Sequence, residues 1–267
     1  LDDIWHPVEI KLVQSPIPFT GEIKTTADVL VPPPDAEYGI IIDIDDTIVK
    51  TGATSLLATA RNVILHNAHT RMPFAGVSAF YRSLQLGRNG KRNNPFFYVS
   101  SSPWNTYDLL RDFMDINDIP AGPILLRDLG FDENKFLQSD HHSHKFKEIE
   151  NILITYPELK FVLVGDSGQQ DAPIYEAVVK KYPTRILAIY IRDVKLPSKA
   201  KVVVDISEGL KQHEVEMVLV ENTVNAAEHA AQNGLIFTQA LPEIEEEKAQ
   251  DKGEHPGKKE TSLTDPA

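Results

Sequence analysis

The stretch Gly39–Lys50, GIIIDIDDTIVK, decides the fold. Ile40, Ile41 and Ile42 form an apolar run without polar alternation, the pattern of a strand covered on both faces. The run ends in Asp43, Asp45 and Asp46. Carboxylates this close together repel, so they need a cation, hydrogen-bond donors or water beside them. The carboxyl end of a strand in an open α/β sheet is where ligands bind. A single Asp after a strand is often no more than a helix cap, and that reading stays open for each of the three alone. A calcium loop of the D-x-D-x-D-G type fails on spacing, because the sixth position from Asp43 is Ile48 rather than Gly and the twelfth is Thr54 rather than Glu.

Asp43–Thr47, DIDDT, matches the D-x-D-x-T signature of haloacid dehalogenase-type phosphatases residue for residue. That reading needs partners downstream, and the rest of the chain supplies candidates. PFFYVSSSP (95–103), GPILLRD (122–128), KFVLVGD (160–166) and RILAIYI (185–191) are further short apolar strands. Helical patterns alternate with them over 76–86, 105–114, 143–155 and 172–182, and 218–235 reads as one more strand and helix. Strand–helix alternation of this kind predicts an α/β fold: a doubly wound, mainly parallel sheet with right-handed crossovers.

Ahead of the sheet, residues 1–35 hold two alternating stretches and the Pro32–Pro34 break, which predict a short N-terminal β element. Residues 36–240 are the expected phosphatase domain. From 241 to 267 the sequence is strongly charged (EIEEEK, DKGEH, GKKE) and is expected to be a disordered tail. Leu56, Leu57, Ala60, Val63 and Ile64 recur at helical spacing in an insert between the first two motifs. That insert is short, so the expected cap is small and the site open.

The chain has 267 residues, no Cys and a formal net charge of −12. Without Cys there is neither a disulfide framework nor thiolate chemistry, and the cytoplasm is the default setting. No apolar run approaches the ~20 residues that cross a membrane, so no transmembrane segment is expected and membrane contact would be peripheral. The acidic total argues against stable nucleic-acid binding. It also conceals an asymmetry: between Thr47 and Tyr107 there is no Asp or Glu, while Lys50, Arg61, Arg71, Arg82, Arg88, Lys91 and Arg92 all fall there. A solvated face accounts for the basic residues but poorly for the missing acids, and an anion-facing surface accounts for both.

Phosphoryl transfer requires a nucleophile, a proton donor, a metal and positive charge on the moving oxygens. Asp43 and Asp45 are the first candidates. Ser100 and Ser101 close the second strand, where hydroxyls and amides can bind a phosphoryl oxygen. Lys145 opens a helix whose Ile149 and Ile152, at +4 and +7, face inward, aiming the ammonium back at the carboxylates. Asp166 ends its strand and Asp171 opens the next helix. Taken singly, a Ser here is commonly a cap, a helical Lys a surface residue and Asp171 a cap; the ordered conjunction carries the argument. Clustered oxygen donors imply Mg²⁺, a hard cation, with Asp43, Asp45, Asp166 and Asp171 as candidate ligands. Thr47, Ser101 and Arg127 are candidate substrate contacts, and Asp128 and Arg192 also sit at strand ends. His141, His142 and His144 lack the partners a zinc site needs and read as a solvated loop before a helix.

Beyond D-x-D-x-T, the strings DIDDTI, YVSSSPWN, GPILLRD, His144-Lys145, GDSGQQD and AIYIRD resemble the actin-patch-associated phosphatidate phosphatase family, as a bacterial-type member, from about Val31 to Ile236. The resemblance implies a haloacid dehalogenase fold and Mg²⁺-dependent conversion of phosphatidate to diacylglycerol. It also implies Asp43 as nucleophile, Asp45 as general acid/base, Ser100 and Lys145 as the phosphate-binding pair, and Asp166 with Asp171 on the metal side. The partner so implied is an anionic phospholipid at a membrane surface. A phosphoprotein or nucleic-acid-end phosphatase, or a non-catalytic interaction module, are the alternatives.

Overall fold

A computed structural model describes residues 4–44, 75–127 and 141–252. Its centre is a six-stranded sheet in the order β5-β4-β3-β6-β7-β8, with every neighbouring pair parallel. These strands are β3 (Gly39–Asp43), β4 (Phe96–Pro103), β5 (Ile124–Arg127), β6 (Phe161–Asp166), β7 (Ile186–Arg192) and β8 (Glu216–Val220). The doubly wound, mainly parallel sheet predicted from the alternation is therefore present. It places β3, with its Asp43 terminus, between β4 and β6.

The isoleucine run is buried throughout because the pleat sends its side chains alternately into two cores. Ile40 and Ile42 pack with α1 (Val77–Leu86), α2 (Tyr107–Ile116), α6 (Thr223–Gln232) and α7 (Leu241–Lys252). Ile41 packs on the opposite face with α3 (His141–Thr155), α4 (Asp171–Lys181) and α5 (Pro197–Leu210). The helices return antiparallel to the strands, so α3 and α4 begin at the end of the sheet where β3, β4 and β6 finish.

The N-terminal element is an antiparallel hairpin of β1 (Trp5–Lys11) and β2 (Lys24–Leu30), in register from Trp5↔Leu30 to Lys11↔Lys24. A lone hairpin is marginal in water. Its base is fixed by Ile4 and Leu30, both buried in the second core, and by the Tyr156 hydroxyl, which donates to the Leu30 carbonyl at 3.3 Å. Most of its remaining side chains are exposed, Val8, Ile10 and Val29 included.

Three elements depart from the sequence expectation. His141 and His142 stand in the first turn of α3 rather than in a loop before it. Helix α5 is additional: Val203 and Leu210, seven residues apart, bury one stripe, while the surrounding Val202–Val204 run conceals that period. Residues 241–252, assigned to a disordered tail, form α7. Its anchoring is specific, since Ile244 is fully buried and the Glu247 carboxylate accepts from the Ala79 amide at 2.8 Å and pairs with Arg82 at 2.6 Å. Asp251 accepts from the Gly76 amide at 2.8 Å. Helix α1 starts at Gly76 with φ 77° and no capping side chain of its own, so acids of α7 occupy its positive end. The remaining tail, 253–267, and the insert helix of 56–64 lie outside the described residues.

Deleting the buried part of Ile244 (Ile244→Ala) is expected to lower unfolding free energy by roughly 2–5 kcal/mol, read from urea unfolding at constant m-value. A change within about 0.5 kcal/mol, as for a surface position, would mean that α7 does not contribute to the core.

Candidate active site

Four ionisable side chains converge at the carboxyl end of the sheet. Asp43 ends β3, Asp166 ends β6, Asp171 opens α4, and Lys145 lies in the first turns of α3; all four are at most 3 % exposed. The Lys145 ammonium lies 2.8 Å from Asp43 Oδ2 and 3.0 Å from Asp171 Oδ1, and it also donates to Gln169 Oε1 at 3.0 Å. Each of Asp43, Asp166 and Asp171 offers a carboxylate oxygen within 4.8 Å of the others. Burying charge is tolerated only when it is paired and hydrogen-bonded, and here one cation meets three anions. The donor set, all carboxylate oxygen in a tight cluster carrying excess negative charge, fits a hard divalent cation.

The loop between β6 and α4 is shaped to hold the acids. Asp166 Oδ1 accepts the amides of Gly168 at 2.6 Å and Gln169 at 3.2 Å, folding GDSGQQD back on itself. Asp171 Oδ2 accepts the Asp166 amide at 2.9 Å. With its other oxygen on Lys145, Asp171 links the ammonium to the strand end. Gly165 permits this approach, since a Cβ there would lie 2.5 Å from Asp171 Oδ2. Beneath the cluster, the Tyr175 hydroxyl donates to the Val164 carbonyl at 2.8 Å. Burial, and then the negative fields of Asp171, Asp43 and Asp166, push its pKa well above the usual value.

On the other side of β3, Ser100 is fully buried, and its Oγ accepts the Ser102 amide at 2.9 Å. His144 Nε2 stands 3.2 Å from the Ser100 carbonyl, so α3 fastens the end of β4 one residue before presenting Lys145. Burial pulls the His144 pKa down, opposed by Glu148 and by the Ser100 contact, and helped further by Arg127 and Lys145. A neutral imidazole donating from Nε2 suits that carbonyl. Ser101 is half-buried on the same strand end, and Arg127 ends β5 opposite Pro103.

The structure thus brings together Asp43, Lys145, Asp166 and Asp171, with Ser100 and Ser101 at the neighbouring strand end and Arg127 one strand further out. Asp45, Thr47 and Asp128 lie outside the described residues. Two contributors go beyond the sequence expectation: Gln169, which has no signal besides its place in GDSGQQD, and His144, expected in a solvated loop but lying on α3 immediately before the inward-facing Lys145. Gly165→Ala is expected to push Asp171 off Lys145 and lower unfolding free energy by roughly 1–3 kcal/mol, read from urea unfolding, because a buried ammonium loses one of its carboxylates. A change within about 0.5 kcal/mol would show that this close approach is dispensable.

The description "phosphatidate phosphatase APP1, catalytic domain" belongs to a family model that matches residues 38–193. Phosphatidate phosphatase APP1 of Saccharomyces cerevisiae is 38 % identical over 155 residues, covering 58 % of this chain and 25 % of the yeast protein. An uncharacterized Schizosaccharomyces pombe protein is 32 % identical over 168 residues, with coverage of 58 % and 25 %. The chain thus spans about a quarter of the length of these curated relatives. Every converging side chain falls inside the matched interval, and because that interval takes in more than half of the sequence, the chain belongs to the family of phosphatidate phosphatase APP1 catalytic domains.

Proposed function

We propose that the protein is a Mg²⁺-dependent phosphomonoesterase that works through an aspartyl phosphate and converts phosphatidate to diacylglycerol. The observation that carries this reading is the buried Lys145, which ties Asp43 to Asp171 while Asp166 stands alongside. A structural ion pair would not need two further buried acids, which cost stability unless a charged ligand joins them. The substrate comes from the yeast relative, whose name states it, and an anionic lipid also agrees with the acid-free 47–107 region. Among the described residues no helix is long and apolar enough to cross a membrane, so phospholipid would be met at a surface.

In this mechanism an Asp43 carboxylate oxygen attacks phosphorus as the bond to the glycerol oxygen breaks, and Asp45 gives its proton to that oxygen. Asp45 then takes a proton from water as the water attacks phosphorus, breaking the acyl phosphate and releasing inorganic phosphate. Lys145 holds the Asp43 carboxylate in one orientation and offers positive charge to the phosphoryl oxygens. The Ser100 and Ser101 end of β4 binds those oxygens from the other side, with Thr47 and Arg127 as further contacts. Mg²⁺, which Asp43 and Asp166 would hold with Asp171 in the same cluster, would supply charge compensation on the transferring group, leaving proton transfer to Asp45. Asp166 is kept in place by the amides of Gly168 and Gln169, and Asp171 keeps Lys145 in place.

Asp43→Asn is expected to lower phosphate release from phosphatidate micelles on the order of 10³-fold or more while the variant remains folded, since it removes the attacking oxygen's charge. Retained turnover in that variant would eliminate the covalent mechanism. Chelation by EDTA should abolish activity and added Mg²⁺ restore it; activity indifferent to chelator would remove the metal. Turnover of phosphopeptides, but not of phosphatidate, would reassign the substrate.

A further inference from the structure

Two exposed apolar side chains flank the nucleophile at the carboxyl end of the sheet. Trp104 directly follows β4 and is 54 % exposed, and Leu196 follows β7 and is 50 % exposed. Strand β3 lies between them in the order β4-β3-β6-β7, so at ~4.8 Å per strand the two loops are set roughly 14 Å apart, with Asp43 inside the span. Among the described residues, the other exposed large apolar side chains lie elsewhere. They belong to the hairpin, to α5, and to the far ends of α2 (Ile116), α3 (Ile154) and the segment after α6 (Phe237).

Both side chains are presented by preset backbone. Trp104 stacks on Tyr107, with ring centroids 5.6 Å apart and planes at 22°, in a 3-10 turn where the Thr106 hydroxyl donates to the Pro103 carbonyl at 2.7 Å. Leu196 follows a turn in which Asp193 Oδ1 accepts the Lys195 amide at 2.7 Å and Ser167 Oγ accepts the Val194 amide at 3.0 Å. Lys195 is held at φ 62°, which strains a non-glycine residue. Around Leu196 the chain is basic, with Lys195, Lys199 and Lys201 and no acid from Val194 to Val204; Lys195 and Lys201 are exposed. Helix α2 carries the exposed Asp108 in its first turn and Asp193 opens the turn before Lys195, so the positive charge lies on the β7 side, from Lys195 onward.

From this we infer that the Trp104/Tyr107 stack and the Lys195–Lys201 segment with Leu196 form a docking surface for an anionic phospholipid bilayer, seating the carboxyl end of the sheet on the headgroup layer with Asp43 facing it. This rests on the phospholipid substrate proposed above and adds the surface that meets it. An indole ring with an apolar body and a polar edge favours the headgroup level, lysines reach from an apolar stem to lipid phosphate, and a leucine between them enters the acyl boundary. A protein partner would leave the combination of an exposed, stacked tryptophan and a lysine cluster around the proposed phosphate-ester site unexplained.

The chain has two tryptophans, Trp5 on the hairpin and Trp104 at the site end, so Trp5→Phe makes Trp104 the sole reporter. Adding vesicles of phosphatidate with bromine-labelled phosphatidylcholine should quench and blue-shift its emission. Replacing Lys195, Lys199 and Lys201 together by Gln should weaken vesicle association at least tenfold, at about fivefold per lysine near an anionic surface. Trp104→Ala should lower the ratio of phosphatidate turnover in vesicles to turnover of p-nitrophenyl phosphate by about tenfold. Unquenched Trp104 with hydrolysis of vesicle phosphatidate would overturn the docking surface alone. Quenching without hydrolysis would overturn the proposed reaction and leave the surface. An equal loss on both substrates in Trp104→Ala would place the indole in the site and overturn its docking role.

Discussion

Electrostatic self-repulsion among buried carboxylates is the constraint around which this molecule is built. Asp43, Asp166 and Asp171 are each almost fully inaccessible and within 4.8 Å of one another, an arrangement that water cannot screen. The neighbouring structure answers it with directed positive ends. Lys145 arrives from α3, the Gly168 and Gln169 amides turn onto Asp166, and the Asp166 amide turns onto Asp171. The helices that flank the cluster, α3 with Lys145 and α4 with Asp171, are each committed to a core on their other face, through Ile149 and Ile152 and through Ile174 and Val178. The charged cluster is held by hydrophobic packing on the helices that carry its partners.

The division of labour between the two faces of the sheet follows from this. The face that receives Ile41 also receives α3 and α4, and it supplies the groups that hold the acids. The face that receives Ile40 and Ile42 carries α1, α2, α6 and α7. One pleated strand serves both because its residues alternate, and the nucleophile candidate stands where that strand stops.

What could be read in advance follows the same logic. The end of an apolar run in a polar residue is a local signal, so β3, β4 and β6 were legible together with Asp43 and Asp166 at two of their ends and Ser100 after the apolar run of β4, as was Lys145 through its spacing to Ile149 and Ile152. Contacts made over long sequence separations were not. His144 resembled a solvated histidine until β4 was placed beside it, and Gln169 resembled a turn residue until Lys145 reached it. Helix α5 was concealed by its valines, whose strand propensity competes with a helical period. Helix α7, with Ile244 as its one fully buried apolar side chain, was read as solvated, because its acids pair with Arg82 and with amides of a helix more than 160 residues earlier.

That last contact joins parts of the chain that are remote along it. Helix α1 is where the polypeptide re-enters the described fold after residues 45–74, the span that contains Asp45. Its entry point, Gly76, is clasped by Asp251, and its first turn by Glu247. The first described turn after that span is thus held by side chains near position 250. Loosening those acids would therefore act on the start of α1 from a helix more than 160 residues later in the chain.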